Sequence, residues 1–202
     1  MHDFPFSIFS EQEEPLQERW RNMRDRFFRP VCVLLSKVGV KPSHPTLLGL
    51  LMLVPFVYFF QTAPWLAALA IFLNVWVFDA IDGSLARYQH HETARGAFLD
   101  LVCDHAVFFG VMLTLVFYRT VDPFWASFYL LNYFSLLVFV IISRFLKVPV
   151  IPVLRSKLYV YLFFLIGLIT GSNYLDVLLL FFGVYMAITN LFLFHRLRCS
   201  LP

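Results

Sequence analysis

Long apolar runs separated by short polar breaks fill the chain from residue 46 to residue 194. Six can be marked: Thr46 to Gln61, Pro64 to Ala86, Thr93 to Tyr118, Pro123 to Arg144, Val153 to Thr170 and Tyr174 to Phe194. Each is near the ~20 residues an α-helix needs to cross ~30 Å of hydrocarbon. The first is short, so its helix is expected to start in the headgroup layer. The pattern predicts an all-α membrane protein with six transmembrane helices.

Ahead of these runs the pattern changes. Trp20, Met23, Phe27 and Phe28, then Val31, Leu34 and Leu35, recur at helical spacing, with Arg19, Arg21, Arg24, Arg26 and Arg29 among them. A basic helix with an aromatic face lies in the membrane interface rather than across it. The prediction is such a helix from Glu11 to Val38, kinked or divided at Pro30. A soluble helix packed on its own protein is the blander account. Lys41-Pro42-Ser43-His44-Pro45-Thr46 breaks the chain before the first span, with Thr46 in place to cap the next helix. Residues 1–40 thus form an interfacial segment and residues 41–202 a six-helix domain.

Composition agrees. Of 202 residues, 60% are hydrophobic and 14% charged, with mean hydropathy +0.74; a soluble domain carries roughly a quarter charged residues. The net charge of +3 is too small to imply nucleic acid. Cys32, Cys103 and Cys199 lie far apart, without metal-binding spacing, and read as small apolar residues. The polar, acidic N-terminus has no apolar core of a signal peptide. The basic residues set an orientation. Fifteen of the 16 fall before the first span, between spans two and three, between four and five, or after six; only Arg119 falls on the other side. Both termini are therefore expected in the cytoplasm, in a bacterial inner or plasma membrane.

Charge matters most between Asp79 and Asp104. Asp79, Asp82, Gly83 and Ala86 fall at i, i+3, i+4 and i+7, on one face at the end of the second span. Gly96, Asp100 and Asp104 fall at i, i+4 and i+8, on one face at the start of the third. A short loop makes the two helices antiparallel neighbours, so four carboxylates can converge. Acids at membrane depth are costly and usually mark function, and gathered acids repel unless protonated or neutralised. An all-oxygen set suits Mg²⁺, Mn²⁺ or Ca²⁺ and disfavours zinc. Gly83, Ala86 and Gly96 leave the same faces bare, and Arg87 beside them can bind phosphate bidentately. Metal, arginine and bare faces together suggest an activated phosphate compound. The blander account pairs the acids with Arg87, Arg95 and the helix ends.

The stretch reads D-x-x-D-G-x-x-A-R, eight residues, then G-x-x-x-D-x-x-x-D, at Asp79, Asp82, Gly83, Ala86, Arg87, Gly96, Asp100 and Asp104. It resembles the signature of the CDP-alcohol phosphotransferase (CDP-alcohol phosphatidyltransferase) family, with all eight defining positions present. The likeness extends to the interfacial helix and six spans. It implies a metal-dependent enzyme of phospholipid biosynthesis. A phosphatidyl group would pass from a CDP-linked lipid donor to a small polar alcohol, with release of CMP. Asp79, Asp82 and Asp100 would hold one or two divalent cations, Mg²⁺ or Mn²⁺. Asp104 would share a metal contact and act as general base. Gly83, Ala86 and Gly96 would make room for the nucleotide, with Arg87 near its phosphates. The resemblance also implies a homodimer.

Family members often read P-N-x-x-T before the first span, near the nucleotide. Here the segment is Pro42-Ser43-His44-Pro45-Thr46, so Thr46 matches and Ser43 replaces the asparagine. Arg144, Arg155 and Lys157 sit between spans four and five, where a phosphorylated acceptor such as glycerol phosphate or inositol phosphate would need cations; the positive-inside rule also explains them. The G-K-x-K-T pattern of phosphatidylglycerophosphate synthases is replaced by Leu154-Arg155-Ser156-Lys157-Leu158. His90, His91 and Glu92 read as a solvated loop, and His105 should point off the acidic face. Two other classes compete. An intramembrane prenyltransferase also uses aspartates and magnesium on pyrophosphate, but its motif order differs. A transporter with a carboxylate relay would spread acids through the membrane depth, and spans four to six hold none there.

Overall fold

The computed structural model describes residues 14–146, 148 and 156–200; the side chains of residues 14–20, Arg144 and Ser200 lie outside the description. Every element among the described residues is helical. The helices are α1 (Glu14–Lys37), α2 (Ser43–Leu51), α3 (Leu53–Phe59), α4 (Pro64–Phe72), α5 (Asp79–Tyr88), α6 (Ala94–Phe117), α7 (Pro123–Phe145), α8 (Ser156–Thr170) and α9 (Leu175–Ser200). A π-helical turn, Leu73–Phe78, joins α4 to α5, so Pro64–Tyr88 is one continuous helix.

Among the described residues, four helices are long and apolar enough to cross a membrane: Pro64–Tyr88, Ala94–Phe117, Pro123–Ser143 and Leu175–Cys199. Two further apolar helices, Ser43–Phe59 and Ser156–Thr170, are shorter. Large apolar side chains such as Trp65, Trp76, Phe117, Phe181 and Leu191 stand exposed around these helices. Exposed apolar surface on this scale marks contact with lipid or another apolar partner. The chain is an integral membrane protein.

The chain divides into two compact units, and the first, Glu13–Thr114, holds α1 to α5 and most of α6. Its buried side chains include Phe56, Ala67, Ala70, Ile71, Leu85, Val107, Phe108 and Met112. Small residues set its closest contacts. A Cβ on Gly110 of α6 would stand 2.4 Å from a Leu53 methyl of α3, so a side chain there would have to displace Leu53. Helix α5 ends where His90 takes a left-handed conformation, φ 54°. The His91 N–H then donates to Ala86 O and the His90 N–H to Arg87 O, the paired bonds that close a helix C-terminus. His90, His91 and Glu92 are exposed, as a solvated loop should be. Helix α6 starts with Thr93 as its cap, the Oγ1 accepting the Gly96 N–H at 3.1 Å.

The second unit carries α7 to α9. Helices α7 and α9 pack closely where Gly183 faces Phe128; a Cβ there would lie 2.7 Å from the ring. Asn190 Nδ2 donates to Asn132 O at 2.9 Å between the same helices. Buried Tyr129 shares a 2.8 Å hydrogen bond with Ser156 at the start of α8.

Two local expectations are corrected. Of the two outcomes expected at Pro30, a kink or a division, division is overturned: α1 runs unbroken through it. Pro30 and Arg26 are exposed, so the carbonyl that loses its partner to the proline ring can bond to solvent. Thr46 is not a helix cap. Helix α2 already starts at Ser43, behind Pro42, with no side-chain cap. The Thr46 Oγ1 instead donates within 3.2 Å of the Pro42 carbonyl and 2.8 Å of Asp82 Oδ2.

Candidate active site

All four signature aspartates reach one cavity in the first unit. It is lined by Asp79, Asp82, Asp100 and Asp104, together with Thr46, Gly49, Leu50, Asn74, Phe78 and Cys103. Asp79 and Asp82 come from α5, and Asp100 and Asp104 from α6, as the two helical spacings predict. Asp82 is buried. A buried carboxylate needs donors, and Thr46 supplies one across 2.8 Å.

The π-helical turn aims the first pair. The Asp79 N–H donates to Asn74 O, five residues back rather than four. One extra residue in a turn rotates everything after it by about 100° relative to an unbroken α-helix. The face holding Asp79 and Asp82 is therefore reset at the point where it enters the site. Asn74 itself is buried at the cavity wall, opposite α2. A Cβ on Gly49 would lie 2.8 Å from Asn74 Nδ2, so Gly49 is the space that Asn74 occupies.

Helix α1 is fastened to α5, beyond the cavity lining, through three hydrogen bonds to one carboxylate. Arg87 Nε donates to Asp25 Oδ2 at 2.7 Å, and Arg87 Nη2 to Asp25 Oδ1 at 2.6 Å. Ser84 Oγ donates to Asp25 Oδ1 at 2.7 Å. The Arg87 bond, opposed by burial and helped by Ser84, holds the Asp25 carboxyl below its ordinary pKa. Beside Asp25, Arg24 reaches back toward the acids, with Nη1 3.9 Å from Asp79 Oδ2.

Gly83, Ala86 and Arg87 lie on α5 and Gly96 in the first turn of α6, beyond the cavity lining. A Cβ on Gly83 would touch two guanidinium groups, Arg24 Nη2 at 3.4 Å and Arg87 Nη1 at 3.5 Å. Lys157 stands in the first turn of α8. Arg155 and the Arg144 side chain lie outside the described residues. Sequence reasoning passed over Asp25, Gly49 and Asn74. A signal existed for two of them: Asp25 is an acid among five arginines, and Asn74 is a polar side chain inside an apolar run.

The donor set fits a hard divalent cation in chemistry, since every ionisable group on the cavity wall except Cys103 is a carboxylate. The fit in position is incomplete. Among the described residues no three His, Cys, Asp or Glu side chains already form a metal-holding group. Side-chain rotation on fixed helices would have to gather them.

Comparison with known proteins fits this geometry. No curated protein sequence matches the chain closely enough to count as a relative. The family model described as CDP-alcohol phosphatidyltransferase matches residues 40–193, which takes in α2 to α8, most of α9 and the whole cavity. A match over that share of the sequence, with the signature acids on one cavity, means that the chain belongs to the CDP-alcohol phosphatidyltransferase family, whose members are phosphotransferases.

Proposed function

We propose that this chain transfers a phosphatidyl group from a CDP-linked lipid, such as CDP-diacylglycerol, to the hydroxyl of a small polar alcohol, with release of CMP. Glycerol phosphate, inositol phosphate or a similar headgroup alcohol is the acceptor. The observation that carries this reading is the single cavity on which Asp79, Asp82, Asp100 and Asp104 all open.

Asp79, Asp82 and Asp100 would hold one or two Mg²⁺ or Mn²⁺ ions, with Asp104 sharing a contact. A bound cation supplies charge neutralisation to the donor's phosphates as the bond to CMP breaks. The chain's own groups do the rest. Thr46 keeps Asp82 oriented through its hydroxyl. Asp104 takes the proton from the acceptor hydroxyl. The acceptor oxygen then attacks the phosphorus farther from cytidine, and the bond to the CMP oxygen breaks, leaving the electron pair on CMP. Gly83, Ala86 and Gly96 leave room for the nucleotide. Arg87 turns toward its phosphates from a position fixed by Asp25. Arg144, Arg155 and Lys157 are assigned to a phosphate on the acceptor. The distribution of basic residues favours a site on the cytoplasmic side, with α1 in the interface.

The test is direct. Purified protein is given radiolabelled CDP-diacylglycerol, Mg²⁺ or Mn²⁺, and a panel of polar alcohols. CMP should be released with at least one acceptor and not without divalent cation. Folded protein that releases no CMP across the panel would overturn the reading.

A further inference from the structure

We propose that Arg24, delivered by α1, is a phosphate-binding residue of this site, which holds the diphosphate of the CDP-linked donor jointly with Arg87. The inference rests on the donor reading above and adds to it a residue that lies outside the eight-position signature and before the family match at residue 40.

Three observations carry it. First, two guanidinium groups converge over Gly83, with Arg24 Nη2 and Arg87 Nη1 at 3.4 and 3.5 Å from where its Cβ would be. Two such groups side by side repel each other, and an anion between them removes the repulsion. Second, Arg87 already commits Nε and Nη2 to Asp25. Nη1 takes no part in that fork, and it is the Arg87 nitrogen nearest to the Gly83 Cβ position. Third, Arg24 is weakly occupied. Its contact to Asp79 is 3.9 Å long, between side chains 34% and 50% exposed, and exposed pairs at such distance contribute little. Its Nε is buried with no hydrogen-bond partner, and a buried donor left unmade is unfavourable. An arginine packed for structure alone would not sit like this. One that awaits an anion with several acceptor oxygens would.

The clamp on its neighbour explains how Arg24 is aimed. Asp25 is fixed to α5 by Arg87 and Ser84. Fixing residue 25 fixes the register of α1, and so the direction in which residue 24 leaves the helix. The diphosphate would then lie along Gly83, one turn beyond Asp79.

The experiment measures CDP and CMP binding by calorimetry on the full chain in nanodiscs with Mn²⁺. It compares wild type, Arg24→Gln, Arg24→Lys and the exposed control Arg21→Gln. Thermal midpoints confirm that each variant is folded. Arg24→Gln should weaken CDP at least tenfold and CMP less, with Arg24→Lys between and Arg21→Gln unchanged. In turnover assays the donor KM should rise with the acceptor KM constant. CDP affinity within threefold of wild type in both Arg24 variants overturns the proposal. So does a change confined to the acceptor KM, which would assign Arg24 to the acceptor's phosphate. Wild-type protein that binds no CDP overturns the donor reading itself, and Arg24's role with it.

Discussion

Arg87 grips Asp25 with two parallel hydrogen bonds of 2.6 and 2.7 Å, joining a signature residue on α5 to helix α1. A bidentate arginine–carboxylate pair is among the stronger polar contacts and orients the guanidinium as well as anchoring it. The motif arginine is therefore held from outside the motif.

Asp25→Asn keeps the shape and removes the charge. Both side chains are about a quarter to a third exposed, so solvent screens part of the pair. A loss of about 1–2 kcal/mol in stability is expected, with a rise in donor KM as Arg87 loosens. Thermal unfolding in detergent and donor titration read the two effects. Arg87→Lys should lose as much, because an ammonium cannot form the fork.

The same pair gives a pH signature. The Asp25 carboxyl is lowered by its bond to Arg87. A lowered carboxylate stabilises the fold fully above the unfolded value, about 3.9, and loses that contribution as pH falls through the folded value. Wild type and Asp25→Asn should therefore differ by a constant amount from pH 8 down to about pH 5. Below about pH 4 their stabilities should converge. A gap that widens on acidification would contradict the assigned sign.

Thr46→Val tests the hydroxyl beside Asp82. Valine fills nearly the same volume, so the change is chemical rather than steric. It leaves a buried carboxylate oxygen without its 2.8 Å donor, at a cost of about 1–3 kcal/mol. The Mn²⁺ concentration for half-maximal activity should rise, because Asp82 is no longer held in place. Thr46→Ser should restore both.

Gly49 and Asn74 make a coupled pair. A methyl on Gly49 would lie 2.8 Å from Asn74 Nδ2, the far end of a side chain that can swing. Gly49→Ala should therefore cost little stability, about 1 kcal/mol or less, and act mainly by pushing the amide from the cavity wall. Activity should fall in Gly49→Ala and recover in part in Gly49→Ala/Asn74→Ser. Purely additive losses in the double-mutant cycle would show that the two do not communicate.

Much of the helical layout follows from two patterns in the sequence. Apolar runs place most ends of the later helices within three residues, although α9 continues six residues past the expected Phe194 to Ser200, and 3.6-residue periodicity alone puts Asp79 with Asp82 and Asp100 with Asp104. What periodicity cannot show is where a helix departs from it. The π-helical turn at Leu73–Phe78 resets the acidic face by changing the hydrogen-bond step, and nothing in LNVWVF but Asn74 hints at it. Thr46 has the composition of a cap, yet its hydroxyl is used across 36 residues of sequence. Asp25 and Arg87 are 62 residues apart. Such a pair is set by how helices dock, and five arginines on α1 offered Asp25 many nearer partners.

Asp79 and Asp104 line the same cavity from different helices, and their proposed roles overlap at the cation but differ at the proton, which only Asp104 is proposed to take. Asp79 on α5 lies 3.9 Å from Arg24; Asp104 lies one turn beyond Asp100 on α6. If Asp104 is the base that takes the acceptor's proton, Asp104→Asn keeps a neutral side chain of the same shape but cannot accept that proton. Turnover should fall by at least about 100-fold, the usual contribution of general base catalysis. CDP binding with Mn²⁺ should stay within about tenfold of wild type, a change of no more than about 1.4 kcal/mol. Asp79→Asn should lose both, because a carboxylate that holds the cation is needed before the donor binds. Calorimetry with CDP and a CMP-release assay on the same preparations separate these outcomes. Equal loss of CDP binding in the two variants would mean that Asp104 is a metal ligand first, and that the proton goes elsewhere.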